Sequence, residues 1–170
     1  KFIKKKIGLC HGVFDIIHYG HIEHFAEAKK NCDILIISIT ADKFVKKGPN
    51  QPYNNDFKRA AIIQSLELCD YVYINNNLTA SNVIKSLKPN IYFKGQDYLE
   101  KDFTNNLSKE ISDVKKNKGK FFITRTKLMS SSHILNKNLI NWSKEQVKNL
   151  KIIKNKTSFK KIKNLFDNIS

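Results

Sequence analysis

Two histidines flanking a glycine stand where the chain leaves its first apolar run. The segment Gly12-Val13-Phe14-Asp15-Ile16-Ile17-His18-Tyr19-Gly20-His21 joins that run to a helical pattern. The imidazoles of His18 and His21 can donate to phosphate oxygens as negative charge accumulates on them. Gly20 leaves the backbone open to a phosphate, and a helix start adds unpaired N–H groups and the positive end of its dipole. Asp15 is better suited to orienting this loop through hydrogen bonds than to acid–base work. His11 and His24 bring the count to four histidines within fourteen residues, but no cysteine or carboxylate spacing completes a familiar ligand set, so no metal ligand is assigned. The GxGxxG fingerprint of dinucleotide sites is absent.

The elements that must position these groups follow from alternating patterns. Apolar runs at Ile7–Cys10, Asp33–Thr40, Tyr71–Ile74, Ile91–Lys94 and Phe121–Thr124 read as strands. The second is almost continuously apolar, as befits a strand buried on both faces. Helical patterns lie between them: from His21 to Lys30, Phe57 to Leu68, Ala80 to Leu87, and within Leu107–Lys116. Repeated strand–helix units predict an α/β fold, a Rossmann-like three-layer sandwich around a five-stranded parallel sheet. Its ligand belongs beyond the carboxyl ends of the strands, where the histidine loop falls. We expect this domain to cover 1–137. Residues 138–170 are expected to be a basic helical tail or a linker to a further domain of a larger fusion protein.

Composition narrows the class. A chain of 170 residues with 41% hydrophobic and 27% charged residues can bury one core. No apolar run reaches the ~18 residues of a membrane span, and the basic start lacks a signal-peptide apolar stretch; a cytoplasmic setting without membrane attachment is expected. Three cysteines without a CxxC pair do not make a disulfide framework. The formal charge of +16 is uneven: 16 basic against 13 acidic residues over 1–113, and 15 against 2 over 114–170. Only Arg59 and Arg125 are arginines among the 31 basic residues. Lysine accompanied by abundant Asn and Ile matches an AT-rich coding bias, so the charge is poor support for a nucleic-acid partner, although such a field attracts anionic ligands.

Four segments, in order, resemble the cytidylyltransferase-like nucleotidyltransferases, among them glycerol-3-phosphate cytidylyltransferase and the nucleotidyltransferase half of the ADP-heptose synthesis enzyme. They are the histidine loop; Lys46-Lys47-Gly48-Pro49 followed by Phe57-Lys58-Arg59; Phe93-Lys94-Gly95-Gln96-Asp97-Tyr98; and Arg125-Thr126-Lys127-Leu128-Met129-Ser130-Ser131-Ser132, which resembles RTxGISTT. The resemblance implies in-line attack of a substrate phosphate oxygen on the α-phosphorus of a nucleoside triphosphate, expelling pyrophosphate. It implies catalytic roles for His18, His21, Lys46 and Arg125, with Lys46 a mobile phosphate clamp and Arg125 gripping β- and γ-oxygens. Gly12, Val13, Phe14, Asp15, Gly20, Lys94, Gly95, Asp97, Ser130, Ser131 and Ser132 would bind nucleotide, and Arg59 and Lys47 the acceptor. Mg²⁺ would accompany the triphosphate, keeping much of its water shell, and homodimers are usual in the family.

On this basis CTP is the expected donor and a sugar or polyol phosphate the acceptor, for surface-polysaccharide synthesis. ATP with a heptose phosphate is the alternative, and a basic nucleic-acid-binding module the alternative from another class. A tRNA-synthetase-like core also uses HxGH, but this chain is short for its anticodon-reading parts and Lys127–Ser132 lacks the second lysine. Glu67 stands where some cytidylyltransferases carry an arginine, and Cys10 where a threonine is usual, which weakens inference about the base.

Overall fold

The computed structural model describes residues 5–45, 52–96 and 106–125. In chain order these form β1 (Ile7–Gly12), α1 (Tyr19–Lys30), β2 (Ile34–Thr40), a single 3-10 turn (Asp42–Phe44), α2 (Asp56–Gln64), β3 (Tyr71–Asn75), α3 (Ser81–Leu87), β4 (Ile91–Gly95), α4 (Asn106–Lys116) and β5 (Lys120–Thr124). The expected five strands and four helices are all present. The boundary expected at 137 and 138, and the tail beyond it, lie outside the described residues. Among the described residues no helix is long and apolar enough to cross a membrane.

The strands make one sheet in the order β3-β2-β1-β4-β5, with every neighbouring pair parallel. Parallel neighbours cannot be joined by a tight turn, so each connection crosses a face, and helices supply the crossovers. The chain runs outward from β1 to β3 and then returns to place β4 on the other side of β1. That reversal opens a crevice beyond Gly12 and Gly95, the last residues of β1 and β4.

Side-chain alternation divides the core between the two faces. Cys10, Leu35, Ile37, Ile39 and Phe93 pack with Phe25 and Ala28 of α1 and Ile63 of α2. Leu9 and Tyr92 pack instead with Val83 and Ile84 of α3 and Val114 of α4. The sheet is thus the middle of three layers.

Helix α2 stops at Gln64, short of the expected Leu68. Ser65 caps it with its N–H on Ala61 O and its hydroxyl on Ile62 O, and the apolar residues after it, Leu66 and Leu68, pack on the core from a turn. Its start is conventional: Asn55 accepts from Lys58 N–H at 2.9 Å.

Candidate active site

The loop between β1 and α1 folds back on itself because Gly12 leaves room and Phe14 turns. A Cβ at Gly12 would lie 2.9 Å from the Phe14 ring. Phe14 itself adopts the left-handed region with φ of 50°, an arrangement a bulky residue takes only when its surroundings hold it there. The ring is the hub of that support, edge-on to His21 at 5.2 Å and to Phe25 at 5.1 Å.

His18 caps α1 with an extended backbone, and its carbonyl accepts from His21 N–H at 2.9 Å. The two imidazoles then stack, ring centroids 3.8 Å apart and 21° from parallel. Both are half-buried, while Gly20 is buried in the first helical turn. The structure therefore brings His18, Gly20 and His21 together at a helix start beside the crevice, with two imidazoles presented as one unit.

Asp15 performs the orienting task expected of it. Its carboxylate accepts from Tyr53 N–H at 2.8 Å and Asn54 N–H at 2.9 Å, while Asn54 Nδ2 donates to Asp15 O at 3.1 Å. The histidine loop is thereby fastened to the segment that leads into α2.

One expectation needs correction. Arg59 was expected to face the acceptor, yet its side chain is wholly buried. Its guanidinium donates to Asn54 O at 3.0 Å, to Val13 O, and to Thr40 O at 2.8 Å, and pairs with Asp42 at 2.6 Å. Five fixed N–H donors suit such convergence of carbonyls, so Arg59 braces the histidine loop from behind. Asp42 and Asp56 strengthen that brace, each accepting the other's backbone N–H at 3.1–3.2 Å. Lys94 is expected to contact nucleotide through the backbone of its turn, and its side chain, which takes no part in that, points into the layer below the sheet. Its ammonium donates to His11 O at 3.0 Å and lies 3.7 Å from Glu110 Oε2.

Glu110 was not singled out in the sequence. It receives Tyr92 Oη–H at 2.7 Å and Ala80 N–H at 2.8 Å, so its charge is compensated from three sides. The signal for it was position: Glu110 lies on the same helical stripe as Leu107 and Val114, where a solvated carboxylate has no place.

Of the remaining candidates, Gly12 and Gly95 are buried at the strand ends, Val13 is half-buried, and Arg125 is exposed just past β5. Lys46, Lys47, Asp97, Ser130, Ser131 and Ser132 lie outside the described residues.

The other two clustered histidines are core groups. Burial, reinforced by the Lys94 ammonium, lowers the pKa of His11 to about 3, against a small opposing contribution from Ser38. Burial and then Lys94 likewise lower that of His24 to about 4. Both stay neutral in the fold while the unfolded chain takes up protons near pH 6.5. Stability is therefore full above that value and is lost as pH falls below it, by up to ~1.4 kcal/mol per pH unit for each histidine. Urea unfolding at a series of pH values between about 7 and 4.5 checks this. A flat unfolding free energy across that interval would contradict the neutral assignment.

Among the described residues no group of three or more His, Cys, Asp or Glu side chains could hold a metal ion, and both Asp15 oxygens are engaged by backbone N–H groups.

The Cytidylyltransferase-like family matches residues 9–137. The chain belongs to that family. Its curated relatives include Bifunctional protein HldE of Aliarcobacter butzleri, 45% identical over 100 residues, or 58% of this chain and 21% of that protein. Bifunctional protein HldE of Campylobacter fetus subsp. fetus is 42% identical over 99 residues, 57% of this chain and 22% of that protein. The match covers less than a quarter of the length of either relative. Among solved structures, the lipopolysaccharide core biosynthesis protein from Thermoplasma volcanium GSS1 is similar with a TM-score of 0.59 and 24% identity, covering 75% of this chain and 100% of that one. A pantoate-beta-alanine ligase from Francisella tularensis is similar with a TM-score of 0.56 and 21% identity, covering 82% of this chain and 68% of that one. Both likenesses show a shared fold.

Proposed function

We propose that this domain transfers an adenylyl group from ATP to a heptose phosphate, giving a nucleoside-diphosphate-activated sugar and pyrophosphate. The observation that carries the chemistry is the stacked His18–His21 pair at the helix start beside the β1–β4 crevice. An oxygen of the sugar phosphate attacks the α-phosphorus, a new P–O bond forms opposite the leaving oxygen, and the bond to the β-phosphate breaks to release pyrophosphate. No covalent enzyme nucleophile is required; the protein contributes alignment and charge neutralisation.

In this reading His18 and His21 donate to α- and β-phosphate oxygens as their charge rises. Arg125 grips the outgoing pyrophosphate with a planar fork. Lys46, Lys47 and the serines at 130–132 complete the phosphate contacts, and Asp97 touches the nucleotide. Mg²⁺ bound to ATP as part of the substrate would supply neutralisation of phosphate charge.

The choice of ATP over the CTP expected from sequence rests on the curated relatives, whose names match the ADP-heptose branch of the resemblance rather than the glycerol-3-phosphate branch. A cytoplasmic setting, where ATP and sugar phosphates are at hand, fits the reading. A homodimer fits it too: β3 is an edge strand, and Tyr71 and Tyr73 on it are exposed.

Pyrophosphate release with Mg²⁺, each of four nucleoside triphosphates and a panel of sugar and polyol phosphates tests the assignment. Release with ATP and a heptose phosphate at a rate at least about tenfold above CTP is expected, a difference of ~1.4 kcal/mol in transition-state binding. Preference for CTP with a polyol phosphate would overturn the donor and acceptor assignment.

A further inference from the structure

Helix α1 does more than present the histidine pair: its next two turns hold the end of the strand that carries Arg125. His24 is 6% exposed, and its Nδ1 lies 2.6 Å from Thr124 Oγ1. Thr124 Oγ1 in turn donates to Lys94 O at 3.2 Å. A hydroxyl has one proton to give. With that proton on the carbonyl, Thr124 must accept from His24, so the imidazole carries its hydrogen on Nδ1. Three residues further along α1, Glu27 Oε2 accepts Arg125 N–H at 2.9 Å.

We propose that His24 and Glu27 are positioning residues that lock the end of β5 to α1, so that the Arg125 guanidinium meets the same phosphates as His18 and His21. The inference rests on the reading of Arg125 as a phosphate ligand. β5 is an edge strand whose ladder runs to β4 alone, so its terminal residues depend on such ties for a fixed direction. The buried imidazole is explained by the bond to Thr124, which also fixes its tautomer. The link joins three elements: α1 through the His24 side chain, β5 through the Thr124 side chain and β4 through the Lys94 backbone carbonyl. Misplacement of a phosphate ligand by about 1 Å costs on the order of a hundredfold in rate, so a tie of this kind is felt at the reaction centre.

The test uses two readouts on the whole chain. Without nucleotide, hydrogen exchange at the Arg125 amide reports the lock itself. Exchange about tenfold faster or more is expected in His24→Leu and in Thr124→Val, and near wild-type exchange in Thr124→Ser, which keeps the hydroxyl. Thr124→Val removes only the hydroxyl at constant volume, so it serves if His24→Leu folds poorly.

Calorimetric titration with MgATP then reports the consequence. Arg125→Ala is expected to weaken binding about tenfold, His24→Leu by several-fold, and the double variant no further than Arg125→Ala alone. Unchanged amide exchange in His24→Leu and Thr124→Val overturns the lock. A His24→Leu effect that multiplies in full on top of Arg125→Ala makes His24 an ordinary core residue, again overturning the inference while the phosphate reading stands. If Arg125→Ala leaves ATP affinity unchanged, the phosphate reading of Arg125 fails and the positioning role falls with it, even where exchange shows the tie.

Discussion

Alanine at either His18 or His21 is expected to reduce turnover by about a hundred- to a thousandfold, with the fold preserved, the scale seen when a preorganised donor to developing charge is removed. The two rings act as a stacked unit 3.8 Å apart, so loss of either exposes the other to water and releases its orientation. The effects should therefore not multiply: the double variant is expected to be only slightly worse than the worse single. Structural cost is small by comparison. Both residues are half-buried at the crevice, and the aromatic hub of Phe14 and Phe25 persists without them. His21→Ala forfeits an edge-on contact with Phe14 and a stacked one with Phe25, about 1 kcal/mol each. Steady-state kcat, read beside far-ultraviolet circular dichroism and a thermal midpoint, checks both halves. Near-normal rates in both single variants would remove the pair from the active site.

Arg59→Leu is expected to carry the largest stability loss of any single change near the site, about 3–5 kcal/mol. The buried guanidinium serves Asn54 O, Val13 O and Thr40 O together with Asp42. Removing it leaves the buried Thr40 carbonyl and the part-buried Asn54 and Val13 carbonyls without their donor. Asp42 is 37% exposed, so its ion pair adds little to the total once solvent screening is counted. Arg59→Lys recovers only part of the loss, because one ammonium cannot reach four acceptors arranged around a planar fork. Turnover should fall with stability in this case, since Val13 O belongs to the histidine loop and Thr40 O to the end of β2. Urea denaturation of the two variants measures the effect; a loss below ~1 kcal/mol for Arg59→Leu would contradict the bracing role.

The layered fold was legible because its signals are local. The near-continuous apolar run from Ile34 to Ile39 needs burial on both faces, and the helical patterns between runs supply the covering layers. The histidine loop was legible for the same reason, since type, spacing and placement after a strand all lie within one decapeptide. What escaped was the direction of long side chains. Arg59 and Lys94 are cations near a phosphate-binding crevice, and nothing local distinguishes a guanidinium that faces ligand from one that faces backbone. Arg59 turns inward because Val13, 46 residues away, offers its carbonyl there. Lys94 continues the alternation that places Tyr92 toward α3 and α4, and Glu110 meets it from 16 residues later in the chain. Only the misplaced carboxylate on the apolar stripe of α4 hinted at such a partner. The end of α2 was overestimated because Leu66 and Leu68 keep a helical spacing while packing from a turn.

The proposed reaction cleaves a nucleoside triphosphate between the α- and β-phosphates and joins the nucleotidyl group, through its α-phosphate, to the sugar phosphate. Following phosphorus by magnetic resonance during turnover of MgATP with a heptose phosphate reads that bond directly. A new pair of coupled diphosphate signals from the nucleotide sugar is expected, appearing in step with free pyrophosphate and absent with His18→Ala. Appearance of ADP and inorganic phosphate instead, or of the coupled pair at an undiminished rate with His18→Ala, would contradict it.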